Sequence, residues 1–313
     1  MFELLPNEVL FQVLKYSNLR DLSSFIQINR HINQVIERHK WDIIDDMYDR
    51  GIFIPKTLET YKEYIYCIDW GLYVINDIQI PEDVIVTLNQ HIDFSLITTK
   101  QKLSPRLLKI YYMRIPLYNL LEYQKVPVEL LHTLVNMYTL SMEQWRTLWK
   151  NQPVDLYFMQ AYEDKIDWHA ISENKQALSI NTLQHYGERF IWPEITKLGL
   201  HESIIEIFMH KMNLFTWINV SYYSKLSKGF IIKYYQNLNT LALFNSQEMD
   251  EELIIFLLDN SDPSEHYQYW NKVASNQRIG RHFIITHKHH LLLQLLIRNK
   301  KIKRADLKAV YGN

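Results

Sequence analysis

Residues 166–186 read IDWHAISENKQALSINTLQHY, and the way this segment divides decides the fold. Trp168 and Ile171 stand at i and i+3, which puts two bulky apolar side chains on one edge of a short helix. Ser179 suits a helix N-cap, where its hydroxyl would accept a backbone N–H. From Ser179, positions +3, +4 and +7 hold Thr182, Leu183 and Tyr186, one face of a second helix. The segment therefore reads as a short helix, a turn and a longer helix.

The same division recurs outward in both directions. Large apolar residues stand at Trp70, Phe94, Leu117, Trp145, Trp168, Trp192, Trp217, Leu241 and Trp270, spaced 23 to 29 residues apart. Three residues after each comes another apolar group: Tyr73, Ile97, Leu120, Leu148, Ile171, Ile195, Val220, Phe244 and Val273. Second-helix starts are expected, to within one residue, at Pro81, Ser104, Pro127, Val154, Ser179, His201, Ser227, Asp250 and Gly280. Apolar pairs follow them at +3 and +4, from Val84-Ile85 through Tyr157-Phe158 to Phe283-Ile284.

One such pair of helices cannot bury its apolar face alone, whereas stacked neighbours build a continuous core. The expected fold is all-α: a three-helix N-terminal segment over residues 1–47, a connecting helix over 48–66, and an α-solenoid over 67–290. The solenoid would have about nine helix-turn-helix repeats of roughly 24 residues. Residues 291–313 are expected to form a terminal cap and a basic tail.

Composition fits a folded helical protein. The chain has 313 residues, 47% of them hydrophobic, with seven glycines and nine prolines. That scarcity leaves little room for hairpin turns or phosphate loops. The net charge of −1, dispersed in both signs, lacks the cationic surplus of a general nucleic-acid binder. Only residues 298–304 are strongly basic, and they read as a solvated end. Cys67 is the single cysteine, so no intrachain disulfide or multi-cysteine zinc site can form. No basic-then-apolar leader and no run of bilayer length is present. The expected location is intracellular, cytoplasmic or nuclear, with no membrane or nucleic-acid partner.

The first 41 residues carry a second pattern. Pro6 suits a first helical turn, and Val9, Leu10, Val13 and Leu14 form one apolar face after it. Asp21 or Ser23 starts a second helix with Leu22, Phe25 and Ile26 inward, and Asn29 precedes a third with Ile32, Val35 and Ile36. About forty residues cannot bury all of these groups, so part of this surface is expected to meet a partner. Leu5-Pro6, Glu8, the Val9-Leu10 and Val13-Leu14 pairs, Asp21-Leu22, Ile28-Asn29-Arg30 and Trp41 resemble the F-box. Ser17 stands where that family usually has Leu, and Leu19 where it often has Pro.

The resemblance implies docking on a Skp-type linker and, through it, on a cullin. It assigns Leu5, Pro6, Val9, Leu10, Val13, Leu22 and Ile28 to the Skp-facing surface or its support. The repeats would then hold a target protein for ubiquitination. The Trp, Ile-Ser, Leu-Ser and aromatic of residues 166–186 also resemble short repeats in predicted F-box proteins of giant DNA viruses, which implies a host-cell location. The alternative is a helical-repeat interaction scaffold with no ubiquitin role. A third reading is an enzyme whose residues assemble only in three dimensions.

Sharper chemistry finds little sequence support. His282, His287, His289 and His290 are the densest histidine group, but Thr286 occupies the i+4 position after His282 and no local carboxylate completes a site. His201-Glu202 lacks the second histidine of a metalloprotease helix. Ser172, Ser179 and Ser227 read as turn hydroxyls, and Asp69, Asp93 and Asp167 as acceptors at helix starts. The tryptophans at repeat markers read as core groups, not base-stacking platforms. No catalytic residue, metal ligand or cofactor is expected.

Overall fold

The computed structural model describes residues 58–63, 68, 70–75 and 77–312. The expected F-box, with Leu5, Pro6, Val9, Leu10, Val13, Leu22 and Ile28, lies outside the described residues, as do Tyr64, Ile65, Cys67 and Asp69. Among the described residues the chain is all-α: every regular element is a helix, and no strand occurs. It divides into two compact units, Met1–Met137 and Tyr138–Asn313.

In the first unit the described helices are α1 (Leu58–Glu63), α2 (Trp70–Ile75), α3 (Glu82–Thr87), α4 (Phe94–Ile97), α5 (Pro105–Tyr111), α6 (Leu117–Tyr123) and α7 (Val128–Met137). Local chemistry sets the starts. The Asp93 carboxylate accepts the backbone N–H groups of Ser95 and Leu96, so α4 begins at Phe94. Ser104 accepts from Leu107 N–H with Pro105 in the first helical position, so α5 begins there. Helix α2 packs on α4, and α1 on α3. Trp70, Tyr73, Val84, Ile85, Phe94, Ile97, Leu107 and Leu108 are buried in this unit, along with Tyr61 from α1.

The second unit alternates in the same way through α8 (Met142–Asn151), α9 (Leu156–Ala161), α10 (Trp168–Ser172), α11 (Ile180–Tyr186), α12 (Trp192–Lys197), α13 (Glu202–Phe208) and α14 (Leu214–Tyr223). It continues through α15 (Lys228–Tyr234), α16 (Thr240–Ser246), α17 (Glu251–Asp259), α18 (His266–Asn276), α19 (Arg281–His287), α20 (Leu293–Arg298) and α21 (Arg304–Tyr311). Each even-numbered helix from α8 to α18 contacts the next even-numbered one, and α19 contacts α21. Residues 291–313, expected as a cap and tail, thus contain a helix pair that packs on α18 and α19 like the pairs before it.

The apolar period explains this packing. All nine residues three positions after the markers, Tyr73 through Val273, are buried. Full burial of one such aliphatic side chain stabilises by about 1.5–3 kcal/mol before entropy. Two registers move by one residue. The start expected at Val154 is set by Asp155, whose carboxylate accepts Phe158 N–H, so Phe158 and Met159 face inward while Tyr157 is exposed. At the Leu241 marker, Asn239 caps α16 through Ala242 N–H, which turns Ala242, Leu243 and Phe244 inward and leaves Leu241 half-buried. A capping acceptor that satisfies an otherwise orphaned N–H overrides a purely apolar count.

Candidate functional site

The polar residues of the turns are used between successive helix pairs. In the first unit the buried Gln101 amide accepts Ile80 N–H at 2.9 Å and donates to Ile80 O at 2.7 Å. One pair further on, Gln124 accepts Leu103 N–H and donates to the carbonyls of Thr98 and Gln101 at 2.6 and 2.8 Å. The second unit repeats the device. Asn174 donates to Trp149 O and Gln152 O, Gln247 to Ser221 O and Ser224 O, Gln277 to Phe244 O and Gln247 O, and Asn299 to Ala274 O and Gln277 O. Gln101 serves the turn at Ile80, whereas each amide from Gln124 onward satisfies carbonyls at or just past the C-terminal end of the preceding first helix, groups that no helix can satisfy internally.

Gly199 replaces an amide at one of these positions. Its φ of +71° is one that glycine adopts freely, and a Cβ there would lie 2.6 Å from the Tyr223 carbonyl oxygen. Lys175 serves that turn from the preceding pair, donating to Leu198 O and Gly199 O at 3.0 and 3.1 Å.

A row of hydroxyls works beside the amides. Thr98, Ser172, Thr196 and Ser221 each stand four residues after a first-helix marker and are completely buried. Thr98 and Thr196 each accept an amide proton from the following pair, from Asn119 at 3.0 Å and Asn219 at 3.2 Å. Ser172 and Ser221 accept the backbone N–H groups of Ile191 and Asn239, both at 2.9 Å. Ser172 closes α10, and its hydroxyl, which also donates to Trp168 O, ties one pair to the next. Ser179 and Ser227 do cap α11 and α15, and Asp167 caps α10.

The histidines pack on an aromatic ring. His287 and His290 lie 5.1 and 5.0 Å from the Trp270 ring, His290 stacked at 12°. His282 and His289 are exposed. Among the described residues no group of three or more His, Cys, Asp or Glu side chains is placed to hold a metal ion. Burial holds the His287 imidazole below its usual pKa, and His290 beside it acts in the same direction.

The sign follows from proton uptake. Below the unfolded value of about 6.5, the unfolded chain protonates at this position more readily than the folded one. Stability from this group is therefore complete above that pH and falls as pH drops toward the folded pKa. Urea midpoints followed by tryptophan fluorescence are expected to fall less between pH 7 and pH 5 in His287→Leu than in the unaltered chain. An unchanged pH slope in that variant would remove the assignment.

A cleft of about 340 Å³ opens between α20 and α21, lined by apolar Leu293, Ile297, Leu307 and Tyr311 with Arg304 and Lys308. Charged side chains elsewhere on the second unit pair along the surface, as in Lys233 with Glu206 and Lys228 with Asp250 and Glu252. No described helix is long and apolar enough to cross a membrane. The chain matches no protein-family model, no curated protein and no solved structure.

The apolar count missed the amide and hydroxyl rows, although their signal is present in the sequence. Gln101, Gln124, Gln152 and Gln277 all fall seven residues after a marker, and Thr98, Ser172, Thr196 and Ser221 four residues after one.

Proposed function

We propose that the chain is an adaptor that recruits a target protein to a Skp–cullin–F-box ubiquitin ligase. The F-box-like run LPNEVLFQVLKY with its flanking Asp21-Leu22, Ile28-Asn29-Arg30 and Trp41 carries the reading. The helix pairs act as a stacked repeat array in which buried amides and hydroxyls fix one pair against the next, so the exposed side chains are free to read a target. Such an adaptor transfers nothing itself. It raises the effective concentration of a target lysine near a loaded ubiquitin-conjugating enzyme, to about the millimolar range for short tethers.

The test is capture of purified Skp-type linker and cullin by the full chain, compared with Leu5→Asp and Pro6→Ala. Capture is expected from the unaltered chain, with at least a tenfold loss in Leu5→Asp. Failure of the unaltered chain to bind the linker would overturn the proposal. The departures at Ser17 and Leu19 favour a second reading, a repeat scaffold without a ubiquitin role. That reading requires partner binding and cellular effect to survive deletion of residues 1–47.

A further inference from the structure

We propose that the cleft between α20 and α21 docks an acidic amphipathic helix of a partner protein, laid along α20. Two observations converge on that occupant.

The first is apolar exposure where a helix would lie. Leu293 and Ile297 stand at i and i+4 on α20 and are 38% and 65% exposed, and Tyr311 on α21 is 37% exposed. Together with Leu307 they make one continuous apolar floor. Residues at this spacing form a stripe that fits the apolar edge of an incoming helix.

The second observation is charge. Arg304 and Lys308 line the cleft, Arg298, Lys300 and Lys303 are close to them in sequence, and all five are exposed with no ion pair to a described residue. Lys301 pairs with Glu248, and Asp306 is the one acidic residue of α21. Two copies meeting face to face here would oppose these cations across the contact, whereas carboxylates flanking an apolar stripe would neutralise them. The surface thus selects an acidic helix over a second copy of the chain.

This proposal rests on the adaptor reading only in its target-binding half. The probes are two labelled helical peptides with the same leucine stripe, one flanked by glutamates and the other by lysines, titrated by fluorescence anisotropy against the full chain. The glutamate peptide is expected to bind at least tenfold more tightly, and to weaken as salt rises. Ile297→Asp, with Ile297→Ser as a milder second variant, is expected to lose at least tenfold in affinity with an unchanged circular dichroism spectrum. Arg304→Glu combined with Lys308→Glu should reverse the preference between the peptides.

Equal binding of both peptides, or binding indifferent to all of these variants, would overturn the proposal. So would self-association in sedimentation that the glutamate peptide cannot compete away, which would assign the cleft to a second copy. Capture of the Skp-type linker by the same variants is measured in parallel. Linker capture without peptide binding rejects the cleft alone, and peptide binding without linker capture rejects the ubiquitin link alone.

Discussion

Replacing Gln277 with leucine is expected to destabilise the second unit by about 3 kcal/mol, although the side chains are close in volume. Gln277 is 1% exposed and sits between two pairs of helices. Its oxygen accepts Met249 N–H at 3.2 Å, and its nitrogen donates to Phe244 O and Gln247 O at 2.9 and 2.8 Å. Leucine would leave one donor and two acceptors unsatisfied. Each buried orphan costs roughly 1–3 kcal/mol, partly recovered where water enters, so the total is less than the sum.

Leucine at Gln184, which is exposed on α11, is the matched control and should shift stability by no more than about 0.5 kcal/mol. Urea denaturation gives the global effect. Hydrogen exchange gives the local one: the Met249 amide should lose protection in Gln277→Leu, whereas Leu226 N–H, held at 3.4 Å by Gln247, should change far less. An unaltered Met249 exchange rate would show that the amide contributes nothing to joining the pairs.

That experiment also marks the boundary of what the sequence makes legible. Apolar periodicity reports residues that leave water because they are apolar, and Ile97, Leu148, Ile171 and Val273 were all accessible to it. Gln277, Asn174 and Asn299 leave water for a different reason. They satisfy backbone groups at helix ends, and a polar letter in a turn looks the same whether it faces solvent or a carbonyl. The one-residue shifts at Asp155 and Asn239 have the same origin, a side-chain acceptor choosing the first N–H it can reach. The α20–α21 cleft was hidden differently. Its leucines, isoleucine and tyrosine read as core letters, and only three-dimensional placement shows that Ile297 faces outward. For the Skp-facing residues the sequence is the whole of the argument, because Leu5 to Ile28 lie outside the described residues.

The unit around residues 142–161 supports the sharpest test of which ring holds a helix pair together. Its repeat spacing singles out Trp145, yet Trp145 is half-buried whereas Trp149, one turn later on α8, is completely buried. The Trp149 indole stacks at 18° on Trp145 with centroids 5.8 Å apart and meets Phe158 edge-on at 5.6 Å. Its Nε1 donates to Lys165 O at 2.7 Å, and its backbone carbonyl accepts from Asn174. Trp149→Ala is therefore expected to cost about 3–5 kcal/mol, through lost transfer energy and the cavity left behind. Trp149→Phe keeps most of the ring volume and loses the indole hydrogen bond, so about half of that cost should return. Trp145→Ala, which removes a ring already partly in water, should cost about 1–2 kcal/mol. The ordering Trp149→Ala above Trp149→Phe and Trp145→Ala, measured by urea denaturation followed by circular dichroism, separates burial from sequence position. If Trp145→Ala proved the more damaging, the marker ring and not the fully enclosed one would carry the packing of this unit.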